Sequence, residues 1–211
     1  MRRALTFISI FALLFGSCHN ISKKKVIAGL PADTTKSFKI DKYWITPKPT
    51  FEFSAILKIS HDTLALVTCA EYAYSPFGIL KEKEELKTSS LKNFSVKDTS
   101  VELPGSRQMC QILNWHSNKL LLFFDHDPEA SKDSYVISGE INDSSVLFSN
   151  KLKIGAESKL FYELFFDDFP KELQNRYHVI VLEACVSSVK HIYNFRNEKL
   201  ASVKFKCYNC D

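Results

Sequence analysis

Phe51, Phe53, Ala55, Leu57 and Ile59 alternate with Glu52, Ser54, Ile56 and Lys58. A period of two marks a strand with one buried face, so the odd-numbered set is expected inside. "SHD" then makes a turn, and "TLALVTC" reads as the returning strand of a hairpin. After Pro76–Phe77–Gly78, "KEKEELKTSSLKNF" predicts a polar helix anchored by Leu80, Leu86 and Leu91. "QILNW" and "LLLFF" bracket the turn "HSNK" as a second hairpin, and "SYVISGEI" and "SVLFS" read as strands. Beyond Gly155, Leu160, Phe161, Leu164, Phe165 and Phe169 fall on one side of a second helix, ended or broken at Pro170. "HVIVLEACV", "KHIYNF" and "LASVKF" are strand-like, the last two joined by the turn "RNEK".

The pattern repeats. "NWHSNKL" at Asn114–Leu120 matches "NFRNEKL" at Asn194–Leu200, and Gly78 and Gly155 each precede a predicted helix. Each unit is expected to be a glycine entry, a helix, then antiparallel strands with an Asn–aromatic–turn–Lys–Leu hairpin. The units run from about 75 to 147 and from about 148 to 211. "KIGAESKLFYELF" followed by "YNFRNEKLASVKF" resembles the module of small outer-membrane assembly lipoproteins and β-lactamase-inhibitor-type proteins. The resemblance implies an α+β domain, helices packed on an antiparallel sheet as two tandem units, which binds proteins through a sheet face. That module contributes no catalytic residue.

Upstream of this domain the pattern is of another kind. Arg2 and Arg3 precede a run from Ala4 to Phe15 that is apolar except at Thr6 and Ser9. The run is too short for a bilayer core, which takes roughly 20 apolar residues, but it suits a signal peptide. Gly16 and Ser17 then stand before Cys18, an arrangement that resembles the bacterial lipobox, with Phe15 where leucine is usual. The resemblance implies cleavage after residue 17 and acyl chains on Cys18, which would tie the protein to a membrane. The alternative is an ordinary secretory signal with a chance cysteine. Residues 18–38 read as a flexible tether and 39–211 as the domain. Lys23, Lys24 and Lys25 are either part of a solvated tether or in contact with anionic head groups. Known sorting signals would place an aspartate after the cysteine for inner-membrane retention. His19 stands there, and "CHNISKKK" lacks an acidic surface-export cluster, so an outer-membrane lipoprotein facing the periplasm is expected.

Composition adds limits. With 45% hydrophobic and 25% charged residues the chain is globular, and 17 Phe predict an aromatic core. The net charge of +4 is too weak for a nucleic-acid partner. Besides Cys18 there are Cys69, Cys110, Cys185, Cys207 and Cys210, candidates for disulfides in an oxidising compartment. Their odd number leaves one unpaired within the monomer, and the connectivity stays open. "CYNC" at the C-terminus lacks the following helix that lowers a redox thiol's pKa, and a second pair of zinc ligands is missing.

The six histidines are His19, His61, His116, His126, His178 and His191. "DHD" at Asp125–Asp127 would point its side chains alternately and reads as an exposed acidic loop rather than a metal site. No nucleophile elbow, zincin helix, phosphate loop or dinucleotide fingerprint occurs. The expectation is a non-catalytic, lipid-anchored envelope protein without cofactor or metal that binds another envelope protein as inhibitor, assembly factor or scaffold. Tyr72, Tyr74 and Phe77 of "EYAYSPFG" are the candidate interaction patch, or else fill the core beside the first hairpin. The alternatives are a carrier for a small or lipidic ligand held beside the Phe-rich helix at 161–169, and a motif-poor enzyme.

Overall fold

The computed structural model describes residues 36–103, 106–124, 134–185 and 189–207. The first predicted hairpin forms as β3 (Phe53–Lys58) and β4 (Thr63–Thr68), preceded by the short strands β1 (Phe38–Ile40) and β2 (Tyr43–Pro47). A meander follows: β5 (Ser95–Leu103), β6 (Ser106–Trp115), β7 (Asn118–Phe124) and β8 (Ser134–Ile141). Then come helix α1 (Ser158–Phe165), strand β9 (Phe166–Asp168), the one-turn α2 (Lys171–Gln174), and strands β10 (Val179–Ala184), β11 (Val189–Arg196) and β12 (Lys199–Cys207).

Nine of these strands form one sheet in the order β3-β4-β10-β11-β12-β8-β7-β6-β5, and β1-β2-β9 form a small second sheet. All neighbours in the large sheet are antiparallel except β4 and β10, which run parallel from Val179↔Thr63 to Ala184↔Thr68. Parallel neighbours need a long crossover. Here the whole meander and α1 lie between them in sequence.

The fold class read from the sequence is therefore corrected. The protein is mostly β, a large mixed sheet with a three-stranded second sheet, and not helices packed on an antiparallel sheet. The helix expected at 81–94 is only a 3-10 turn at Lys83–Lys87. Its own polar residues end it: the Thr88 hydroxyl donates to the Glu85 carbonyl and the Ser89 hydroxyl to that of Leu86. Ser89 Oγ also accepts the Leu91 amide, so this stretch competes with the helical ladder. "SVLFS" makes one bridge, Leu147↔Lys153, instead of a strand. Lys151 there adopts a left-handed φ of 70°, and Asn150 Oδ1 caps the turn through the Leu152 amide. Both matched heptapeptides form hairpins of the one sheet, β6–β7 and β11–β12.

The first hairpin holds a second correction. A bulge between Phe53 and Ala55 inserts Ser54 and reverses the alternation. Phe53 is buried, but beyond the bulge Ile56 packs on the core, while Ala55 and Leu57 turn to the opposite face and Ile59 is 57% exposed.

The core lies on one face of the large sheet, under α1, the 3-10 turns and the small sheet. It is aromatic, as the phenylalanine content predicts. Phe51 packs tilted on Phe165 with ring centroids 4.3 Å apart, Phe161 likewise on Phe165 at 4.5 Å, and Tyr162 stacks on Phe169 at 4.4 Å. Such pairs contribute roughly 0.5–1.5 kcal/mol each beyond the burial of their area. The disulfide Cys69–Cys185 closes the ends of the parallel pair β4/β10, where the Cys185 amide also donates to the Thr68 carbonyl at 2.8 Å.

Candidate functional site

Cross-strand partners share a face, so the registers define what the large sheet shows away from its core. From one edge to the other this second face carries Ala55 and Leu57, Ala65 and Val67, Val181 and Glu183, and Lys190 and Ile192. It continues with Lys204 and Lys206, Glu140, Lys119 and Leu121, then Phe123 with Tyr135, and Ile112 with Lys97. The side chains of this set are half-buried or exposed, apart from the small Ala65. An antiparallel sheet with one solvated face normally alternates apolar-in with polar-out. This one instead presents two apolar ends, an aliphatic one at Leu57, Val67, Val181 and Ile192 and a partly aromatic one at Ile112, Leu121, Phe123 and Tyr135. A charged centre separates them.

The charges on this face are six lysines (97, 119, 190, 199, 204 and 206) and Arg196 against two glutamates (140 and 183). Lys190 pairs with Glu183 at 3.1 Å and Lys204 with Glu140 at 3.5 Å. The face is therefore basic as well as apolar. Cys110 belongs to it by register but is fully covered, and burial pushes its thiol pKa up. It is the free cysteine among the described residues.

The sequence-predicted patch lies elsewhere. Tyr72 and Phe77 are buried and Tyr74 is half-buried against the core. Phe77 stacks on Phe148 at 5.3 Å, and the Tyr74 hydroxyl meets Cys185 Sγ at 3.7 Å. These rings fill the core beside the first hairpin, the other reading the sequence allowed. Cys207 is disulfide-bonded. Cys18, Cys210 and Asp125–Asp127 also lie outside the described residues.

Behind Tyr72 the interior holds a polar chain. The Tyr72 hydroxyl lies 2.9 Å from that of Tyr193, which lies 3.3 Å from His191 Nδ1, while His191 Nε2 has no hydrogen-bond partner. Burial pushes the His191 pKa down to about 3, with the Ala73 backbone opposing, and pushes both tyrosines upward. His191 is 1% exposed and Tyr193 fully covered, so the chain is enclosed and out of a substrate's reach. Sequence reading had no signal for it, because a histidine alternating with apolar residues on a strand looks like any other position.

Phe161 packs on Phe165 and Phe166 on Phe169, and all four are buried. An open groove of about 380 Å³ lies at the sheet's rim, between Pro47–Pro49 and Phe53–Ser54, with Lys36, Glu52 and Cys69 on its walls. Among the described residues no three metal-ligating side chains converge, and no helix is long and apolar enough to cross a membrane. No protein-family model, no curated protein and no solved structure matches the chain.

Proposed function

We propose that this chain is a lipid-anchored cell-envelope protein, acylated at Cys18 and placed in the outer membrane facing the periplasm. It acts as a non-catalytic module that binds another envelope protein through the second face of its large sheet. The observation that carries the reading is that face itself, with half-buried apolar side chains at both ends and an excess of lysines between. Partly exposed apolar area on an uncovered sheet face marks interaction sites, and the lysines favour a partner surface bearing carboxylates around apolar ridges. The Cys69–Cys185 disulfide suits an oxidising compartment such as the periplasm.

The test is cross-linking and affinity capture of the full, lipidated chain from its own envelope, with mass spectrometry of partners and of the Cys18 peptide. The expected result is a stoichiometric protein partner, acyl chains on Cys18, and loss of that partner in Leu121→Glu and Ile192→Glu. Capture indifferent to both substitutions would overturn the face as the binding site. An unmodified Cys18 would overturn the anchor.

A further inference from the structure

The large sheet ends in two very different edges. β5, at one end, carries Lys97, Asp98 and Glu102, all exposed. Charges of this sort are how edge strands resist pairing with another chain. β3, at the other end, reads Phe53-Ser54-Ala55-Ile56-Leu57-Lys58, with one charged residue that already pairs with Asp41 at 3.5 Å.

The direction of the free backbone groups follows from the hairpin. The Ile59 amide donates to the Thr63 carbonyl, so Ile59, Leu57 and Ala55 aim their main-chain groups at β4. Backbone groups alternate sides along an antiparallel strand. Those of Ile56 and Lys58 therefore point outward from the sheet, where no strand among the described residues hydrogen-bonds to β3, although β1 packs close by.

We infer that β3 pairs with β3 of a second copy of this chain, antiparallel about a two-fold axis at Ile56, joining the two large sheets edge to edge. In that register Ile56 faces Ile56 as a hydrogen-bonded pair. Ala55 faces Leu57 and Ser54 faces Lys58; Phe53, beyond the bulge, stays turned into its own core and takes no part. Between Ser54 and Lys58 every apolar residue meets an apolar one, and the only charge meets a serine. Centring the axis on Lys58 would oppose two ammonium groups, which is destabilising for directly facing strands. The self-complementary order of the strand thus selects a second copy over a foreign segment. The bulge at Ser54 ends the shared ladder, so the dimer is short-laddered and dissociates on dilution.

The inference does not depend on what binds the second face. Its test is sedimentation of the full lipidated chain in detergent across a dilution series, together with two substitutions at the exposed Ser54. Ser54→Lys sets like charges against Lys58 at two symmetric places and is expected to weaken the dimer by roughly 2- to 30-fold, whereas Ser54→Glu tightens it by a similar factor. Circular dichroism melts of both variants check that the fold is kept. Mixing Ala55→Cys chains with Leu57→Cys chains is expected to give an oxidised cross-link that neither forms alone. A monomer at every concentration, or a dimer indifferent to both Ser54 substitutions, overturns the proposal. So does hydrogen-exchange protection of the Ile56 and Lys58 amides that appears only when envelope proteins are added, which assigns the edge to a foreign strand.

Discussion

His191 sits fully buried as a neutral imidazole, and that has a thermodynamic consequence. Its folded pKa is about 3 against a usual 6.5. Between those values the unfolded chain binds a proton that the folded chain refuses, so stability falls as pH drops from 6.5 towards 3 and is fully present above 6.5. The shift corresponds to roughly 4–5 kcal/mol at the acid end. His191→Leu is expected to remove much of the difference between urea unfolding free energies at pH 7 and pH 4, while the native chain keeps it. Gly139 is the other residue whose neighbourhood dictates its identity. Its φ is 147°, and an added Cβ would stand 2.3 Å from the Lys119 carbonyl oxygen and 2.8 Å from Leu120 Cα. Both are backbone atoms of the adjacent strand β7 and cannot rotate away. Gly139→Ala is expected to cost about 2–3 kcal/mol in thermal or urea unfolding.

At the scale of elements, the parallel pair β4/β10 is the join on which the sheet depends. It brings the first hairpin beside strands that follow it by more than half the chain, and the Cys69–Cys185 disulfide spans a separation of 116 residues. Cross-linking so long a loop restricts the unfolded chain by about 4–5 kcal/mol on the chain-entropy model. Replacing both cysteines by serine is expected to lower the unfolding free energy by about 2–5 kcal/mol and to expose the β4/β10 amides first in hydrogen exchange. The strands of this region were legible in the sequence, because alternation over six or more residues leaves few other options. Their inward and outward faces were legible only up to Phe53. One inserted residue, Ser54, reverses the phase, and nothing in the types Phe-Ser-Ala announces a bulge. The helix expected at 81–94 failed for a local reason: two consecutive hydroxyl residues, Thr88 and Ser89, offer the backbone other partners.

At the scale of the molecule, the second face of the sheet combines apolar ends with an excess of lysines. Binding through such a surface is steered by charge and screened by salt. The partner captured through Leu121 and Ile192 is therefore expected to associate more slowly as ionic strength rises. This face was not legible as a site. Its residues come from nine strands that span positions 55–206, each contributing one to three side chains that are unremarkable in their own stretch. The candidate patch failed for the converse reason. Tyr72, Tyr74 and Phe77 are conspicuous as a local cluster, but a 3-10 turn at Glu71–Ala73 folds Tyr72 inward, and Phe77 stacks against Phe148 from far along the chain.

Local chemistry alone determined a good deal of this protein. Hydrophobic periodicity located the hairpins β3–β4, β6–β7 and β11–β12 and the start of α1, though not β1, β2 or β5, because burying one face of a strand or helix imposes a repeat that short-range sequence displays. The abundance of phenylalanine determined an aromatic core. Only the tertiary structure decided that the strands join into one mixed sheet through a parallel contact. It alone decided which two cysteines meet, and that a histidine would be sealed inside. These depend on pairings between residues far apart, whose free energies arise from register, closure and desolvation, and such terms leave no periodic trace along the chain.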